Sequence, residues 1–587
     1  MTTAAHGLGH RSETFREDWL DGMANAYART VRRVPGASGL LGRHAPRPGK
    51  VSVVIGGGSG HYPAFAGLVG TGLADAAAIG DVFASPSAEQ VYRTARAADA
   101  GAGVLLTYGN YAGDVMHFGL AARRLAADGT ETRTVLVTDD VASGPPPVEG
   151  APVDPSRDRR GVAGDFFVFK VAGASAERGD DLATVARLAA HANAHTRTFG
   201  VAFAGCTLPG AEEPLFTVAP GTCELGMGIH GEPGLRTGGT LDPEGLAEAL
   251  VEQLLPDLPQ RGDGRVAVLL NGLGATKGEE LFAVYRFVCR RLTAAGLRPF
   301  LPEVGEFVTS FDMAGVSLSL MVLDDELAEL YAAPCDTPAF RRLPGAGEER
   351  YALAEAEQGT APVPAPTTAP GPDDGVVTTA LQASLDLVAE REAELGRLDA
   401  VAGDGDHGRG IVRGLRAAVA RAREVESDAD ASAGSTLMAA GLALADASGG
   451  ASGALYGALL TETGACLTGL ETVRPADLAR AARSAQETIS ALGGAQVGDK
   501  TMLDALAPFA EELAAADARG EDLAAAWDAA AAAATEAAAR TADLVPVRGR
   551  AARMGSLSQG HPDAGATSLA LILSAAATTL NREPATP

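Results

Sequence analysis

The stretch Leu398-Asp399-Ala400-Val401-Ala402-Gly403-Asp404-Gly405-Asp406-His407-Gly408 decides how the C-terminal part of this chain is read. Three carboxylates fall within eight residues, and glycines flank two of them. Residues three or four apart share a helix face. The spacings here are five and two, so the reading is a loop that gathers all three around one point. Charges so close repel unless a cation joins them. Mg²⁺ suits such a site, because it takes oxygen ligands and leaves positions open for phosphate. The plainer reading of a D-G-D stretch is a solvated acidic turn. An EF-hand fits poorly, since its twelve-residue ligand pattern is missing.

The surroundings of that loop favour the metal. From Val376 onward the pattern is helical, over residues 378–395, 411–425, 435–447, 475–489, 502–516, 522–544 and 567–580. The alanine-rich 524–539 is a strong helix former with no chemistry of its own. Polar glycine segments fall between the helices, which predicts an all-helical bundle with a site at one end. These are 449–457 (GGASGALYG), 498–504 (GDKTMLD), 549–551 (GRA) and 560–568 (GHPDAGATS). Backbone N–H groups exposed by such glycines can cradle phosphate.

The N-terminal part reads as α/β. Val51-Ser52-Val53-Val54-Ile55 is fit for a buried strand, and Gly56-Gly57-Gly58-Ser59-Gly60-His61 follows as a glycine turn. It matches neither a dinucleotide fingerprint nor a P-loop. Strands are expected at 76–79, 103–107, 134–138, 166–171, 200–204 and 266–271, with helices at 88–98 and 116–127. Such alternation implies a mostly parallel sheet, with ligands beyond the carboxyl ends of its strands. His61, Ser85 and Asp114 fall there. His230 stands among glycines, which leave it accessible. Residues 345–374, rich in Pro, Ala and Thr, read as a semi-extended linker.

Bulk properties limit the function classes. The 587 residues suffice for two to four domains. A hydrophobic content of 46% with 21% charged residues describes a soluble globular chain. A net charge of −26 argues against nucleic acid and anionic membrane as partners. Five cysteines without a CxxC pair suit a reducing cytoplasm. No signal peptide or membrane span is visible.

The motifs GGGSGH (56–61), DVFASPS (81–87), GNYAGD (109–114), GIHGEPG (228–234), NGLGAT (271–276) and TSFDMAG (309–315) together resemble the sugar-binding part of dihydroxyacetone kinases. The 398–408 loop and the four C-terminal glycine segments resemble the nucleotide domain of the same family. The resemblance implies a single-chain, ATP-dependent kinase of a short-chain ketose, cytoplasmic and homodimeric. It implies an α/β ketose-binding subdomain (1–190), a second α/β subdomain carrying the covalent histidine (191–344), a linker (345–375) and an all-helical ATP-Mg domain (376–587).

Site roles carry over in the same way. His230 would bond covalently to the ketose carbonyl carbon, Asp114 would be the base, and His61 would sit over the substrate. Gly58 and Ser85 would hydrogen-bond the sugar, with Gly109 and Tyr62 facing it. Asp399, Asp404 and Asp406 would hold two Mg²⁺ ions that bridge ATP phosphates. Nucleotide contacts would come from His407, Gly450, Ser452, Gly493, Thr501, Met502, Arg550 and Asp563.

The chain departs from the family in several places. The usual KNYTGD is GNYAGD, so Gly109 replaces a substrate-facing lysine and Ala112 a threonine. Tyr62 replaces the usual glutamate after His61. GERSIG is Gly555-Ser556-Leu557-Ser558-Gln559-Gly560, and a common asparagine near the metal loop is Gly410. A smaller side chain at 109 leaves room for a longer sugar, so a tetrulose such as erythrulose is expected ahead of dihydroxyacetone. The alternatives are a dihydroxyacetone kinase proper, a lyase forming cyclic flavin phosphate from FAD, and a ketose-binding regulator without turnover.

Overall fold

The computed structural model describes residues 14–144, 159–260, 262–345, 375–401, 403–428, 431–470, 472–546 and 558–580. The chain divides into two compact units, Met1–Glu355 and Ala356–Pro587. No helix among the described residues is long and apolar enough to cross a membrane.

The first unit holds two six-stranded sheets. One contains β1 (Val31–Arg33), β2 (Gly39–Gly42), β3 (Ser52–Ser59), β4 (Ala76–Val82), β5 (Val104–Gly109) and β6 (Thr132–Val137), in the order β1-β2-β4-β3-β5-β6. β4, β3, β5 and β6 run parallel, and β1 and β2 are antiparallel additions at the β4 edge. The other contains β7 (Thr196–Ala202), β8 (Thr222–Leu225), β9 (Arg236–Gly239), β10 (Arg265–Gly272), β11 (Arg298–Gly305) and β12 (Gly315–Val322), in the order β11-β10-β12-β7-β8-β9. In this second sheet only the β10–β11 pairing is parallel. The fold class is therefore α/β with mixed sheets, followed by an all-helical unit.

Two expectations for the first unit are corrected. Residues 166–171 are not a strand but the start of the helix Asp165–Arg178. Its run Phe166-Phe167-Val168-Phe169-Lys170-Val171 is buried on every side, and a short apolar run of that kind does not separate strand from buried helix. It packs on β3 and β5 and on the helices Leu182–His195 and Asp325–Ala332. Nor are the glycines from Gly56 a turn. Gly56 and Gly57 continue β3 and pair with Ala78 and Ile79 of β4. They are glycines because a Cβ at Gly56 would lie 2.3 Å from the Ala78 carbonyl, and one at Gly57 would lie 2.2 Å from the Phe65 ring. The chain turns only at Gly60, whose φ of +98° favours glycine.

The second unit is a ring of antiparallel helices. In packing order they are Val376–Glu390, His407–Glu426, Ala433–Ser448, Gly450–Leu467, Pro475–Gly493, Leu503–Arg519, Leu523–Arg540 and Ala564–Leu580, and the last packs against the first. Glycines set close contacts between neighbouring helices: a Cβ on Gly464 would meet the Gly434 carbonyl at 2.5 Å, and one on Gly441 the Gly457 carbonyl at 2.8 Å.

Three sequence readings change here. The single helix expected over 378–395 is two, Val376–Glu390 and Glu392–Ala400. Asp399 is in the last turn of the second of these, so the three carboxylates come from a helix end as well as a loop. Residues 449–457 are not a loop but the beginning of the helix Gly450–Leu467. Most of the linker, together with Arg550 and the stretch Gly555-Ser556-Leu557, lies outside the described residues.

Gly57→Ala should force the Phe65 ring to move and lower stability by about 1–3 kcal/mol. An earlier urea midpoint for the first unit's unfolding transition is the expected result.

Candidate functional site

The ketose-side residues of the first unit meet in a cavity of about 260 Å³, lined among others by Gly58, His61, Ser85, Gly109, Asp114 and His230. β3, β4 and β5 deliver the first four at or just beyond their carboxyl ends, as parallel strands do. Asp114 enters from the first turn of the helix Ala112–Ala127. Tyr62, expected to face the sugar, is not among the lining residues; its side chain is exposed and its carbonyl accepts from the Thr309 hydroxyl at 2.9 Å.

His230 is enclosed by rings. Phe83, Tyr111 and His61 stand edge-on to it, with centroids 5.1, 5.0 and 5.0 Å away. Its Nε2 lies 3.1 Å from His61 Nε2. His61 Nδ1–H donates to the Thr309 carbonyl at 2.7 Å, which leaves its Nε2 an acceptor. His230 Nδ1 lies 3.3 Å from Glu232 Oε1, and the Glu232 Oε2 accepts from the His230 backbone N–H at 3.0 Å. His61 Nε2 and Glu232 Oε1 thus each offer an acceptor to a ring nitrogen of His230.

The electrostatics follow from burial and these partners. Burial takes the His61 ring down to about 3, so it is neutral. Burial alone would raise the Glu232 carboxyl, but the hydrogen bond and charge of His230 and the Arg160 guanidinium hold it down at about 2. Burial pushes the Asp114 carboxyl up to about 6, against a hydrogen bond with Ser85. Its Oδ1 is buried without a hydrogen-bond partner.

Sequence reasoning missed Glu232 and Arg160. Glu232 was legible, since it stands two residues from His230 inside GIHGEPG. Arg160 was not, because only the fold brings it to Asp140 at 2.9 Å and Glu232 at 3.4 Å.

Two motifs act as supports. Asn271, fully buried, accepts from the Phe307 and Val308 N–H groups at 2.8 and 3.0 Å and donates to the Val308 carbonyl at 2.8 Å. That braces the segment whose Thr309 carbonyl orients His61. The next residue, Ser310, donates to the carbonyl of Ile229 beside His230.

In the second unit a larger cavity, about 730 Å³, gathers Asp399, Asp404, Asp406, His407, Gly450, Ser452, Gly493, Thr501, Met502 and Asp563. The three aspartates each offer a carboxylate oxygen, all within 4.8 Å of one another. Asp399 is held by the Gly405 N–H at 2.8 Å. Alternate helices of the ring begin here, with first residues His407, Gly450, Leu503 and Ala564. Four helix N-termini turn their positive dipole ends to one cavity. The combination fits a divalent cation shared with a polyphosphate. His407 is buried, with its ring nitrogens 3.1 and 2.8 Å from the Ser452 and Ser568 hydroxyls. It therefore ties three helices together. Lys500, which the sequence did not single out, donates to the Ser558 and Leu544 carbonyls at 2.7 and 3.1 Å and pins the cavity wall.

Residues 21–339 match the Dak1 domain and residues 401–578 the DAK2 domain. The chain is 52% identical over 571 residues to a D-erythrulose kinase of Mycolicibacterium smegmatis, covering 95% of each chain. It is 48% identical to an L-erythrulose kinase of Pectobacterium atrosepticum, over 98% of this chain and 97% of that one. Among solved structures, the dihydroxyacetone kinase from C. freundii in complex with AMP-PNP and Mg²⁺ matches with a TM-score of 0.59 at 29% identity, covering 98% of this chain and 100% of that one.

Asp404→Asn removes one negative ligand from the aspartate cluster. Calorimetric titration with Mn²⁺ should show affinity weakened by at least about tenfold, which corresponds to roughly 1.4 kcal/mol.

Proposed function

The chain belongs to the dihydroxyacetone kinase family and is an ATP-dependent ketose kinase; we propose that its preferred substrate is a four-carbon ketose such as erythrulose, phosphorylated on a terminal hydroxyl while His230 holds the carbonyl carbon covalently. The observation that carries the substrate reading is Gly109. It lines the ketose cavity without a side chain, and a Cβ there would lie 3.1 Å from the Gly161 carbonyl. The wall is bare backbone where the family's usual lysine would stand. The erythrulose names of two similar relatives support the same preference.

The histidine pair suits covalent capture. The Nε2 proton of His230 passes to His61 Nε2, and the freed lone pair adds to C2 of the ketose. The carbonyl π pair moves to oxygen, which takes the proton from His61. The positive ring of the resulting hemiaminal faces the ionised Glu232. Polyols offer no carbonyl and are rejected. Asp114, with its free Oδ1, accepts the proton of the hydroxyl that takes the phosphoryl group. Asp399, Asp404 and Asp406 would hold Mg²⁺, two ions on this reading, which neutralises phosphate charge when bound.

The test compares kcat/KM for erythrulose and dihydroxyacetone on one preparation, with intact-mass analysis of the ketose adduct. Erythrulose should lead, and His230→Ala should erase the adduct. A clear lead for dihydroxyacetone sinks the preference, and absence of an adduct in the wild type sinks the covalent step.

The base carries its own pH signature. With its carboxyl pushed up to about 6, Asp114 is ionised above that pH and protonated below it. At saturating MgATP, kcat/KM for the ketose should be flat above pH 7 and fall about tenfold per unit below 6. Asp563 in the nucleotide cavity is also pushed up to about 6 by burial, so the limb should persist in Asp563→Asn.

A further inference from the structure

We propose that Asp165 is a specificity-determining residue of the ketose cavity, its carboxyl hydrogen-bonding the additional hydroxyl that a four-carbon ketose carries and dihydroxyacetone lacks. The proposal rests on the substrate class given above and deepens it.

Asp165 is the first residue of the helix Asp165–Arg178. It is 2% exposed and lines the same cavity as His230, Asp114 and Gly109. Its Oδ1 is buried with no hydrogen-bond partner. A buried polar atom in that state is costly and is ordinarily satisfied by something, here a ligand group.

The cavity wall carries two other buried, unpartnered polar atoms, Asp114 Oδ1 and the Tyr111 hydroxyl. Asp114 takes the hydroxyl to be phosphorylated, and the Tyr111 ring is fixed edge-on to His230. Asp165 is the carboxyl to which capture and transfer assign no role.

Two glycines share the cavity wall with it. A Cβ on Gly161 would lie 2.9 Å from Asp165 Oδ1 and 2.4 Å from the Gly109 Cα. A side chain at Gly161 would press on the Asp165 carboxyl and on the Gly109 backbone, so the close packing of this wall requires glycine there. The turn that leads to Asp165 is held by Asp139, whose carboxylate accepts from the Val162 and Gly164 N–H groups, both at 2.8 Å.

Hydroxyl counting completes the argument. With C2 on His230 and one terminal hydroxyl at Asp114, dihydroxyacetone has one hydroxyl left and erythrulose has two. Burial, then the neighbouring Asp139 and Asp114, push the Asp165 carboxyl well above the usual carboxylate range. In its protonated form it donates one hydrogen bond and accepts another, which matches a sugar hydroxyl.

The experiment measures kcat and KM for both sugars in the wild type, Asp165→Ala and Asp165→Asn. Asp165→Ala should lower kcat/KM for erythrulose about tenfold or more, mainly through KM, with a loss for dihydroxyacetone about fivefold smaller. Asp165→Asn keeps a donor and an acceptor and should recover most of the erythrulose rate. Should the alanine variant not fold, Asp165→Leu, similar in shape and without polar atoms, supplies the same comparison. Equal losses for both sugars mark a purely structural role and overturn the proposal. The wild-type ratio of the two sugars tests the substrate reading by itself. An unchanged ratio in the variants overturns the role of Asp165 whichever sugar the wild type prefers.

Discussion

Two imidazole nitrogens 3.1 Å apart, His61 Nε2 and His230 Nε2, are the contact on which the first unit's site depends. Each ring is anchored at its other nitrogen, His61 by the Thr309 carbonyl and His230 by Glu232. The anchors come from separate stretches of chain. His61 follows β3 of the first sheet, and Thr309 lies between β11 and β12 of the second. The seam is backbone: Phe311 N–H donates to the Gly60 carbonyl at 2.8 Å, and Ala64 N–H to the Phe307 carbonyl at 3.0 Å. Loosening that seam would misalign both rings, which is why a buried asparagine, Asn271, is spent on bracing residues 307–308.

Charge organises the second unit differently. Three carboxylates within 4.8 Å are self-repelling, and the chain as a whole is strongly acidic. An anionic nucleotide can approach such a surface only through a cation or through fixed positive ends. The antiparallel ring supplies the latter, because alternate helices start at the same rim. Small residues make this possible. The glycine contacts at Gly441 and Gly457 let adjacent helices approach closely, so the starts of the helices crowd around one cavity.

Much of this was legible in the chain. The aspartate spacing, the glycine segments between helical stretches and the motif order named both sites, and the structure gathers seven expected nucleotide-side residues beside the aspartates. Where the readings erred, a local pattern had two physical solutions. An apolar run such as 166–171 suits a buried strand or a helix buried on all sides. Glycines in 56–58 signal a turn or a strand packed too tightly for side chains. Glycines at 449–457 signal a loop or a helix packed closely on its neighbour. Local sequence carries composition and spacing, but not what stands opposite.

The sequence by itself determined the two-part organisation, the all-helical nature of the second part and the chemistry available at His230, Asp114 and the three aspartates. Those depend on residue type and short-range spacing, which the chain states directly. The tertiary structure alone decided that Arg160 meets Glu232, that Tyr62 does not line the ketose cavity, and that Asp165 lines it beside Gly109 and Gly161. These are contacts between residues far apart in the chain or on opposite sides of one loop. Their existence depends on how strands and helices pack, and that packing follows from burying the whole apolar surface at once rather than from any single stretch.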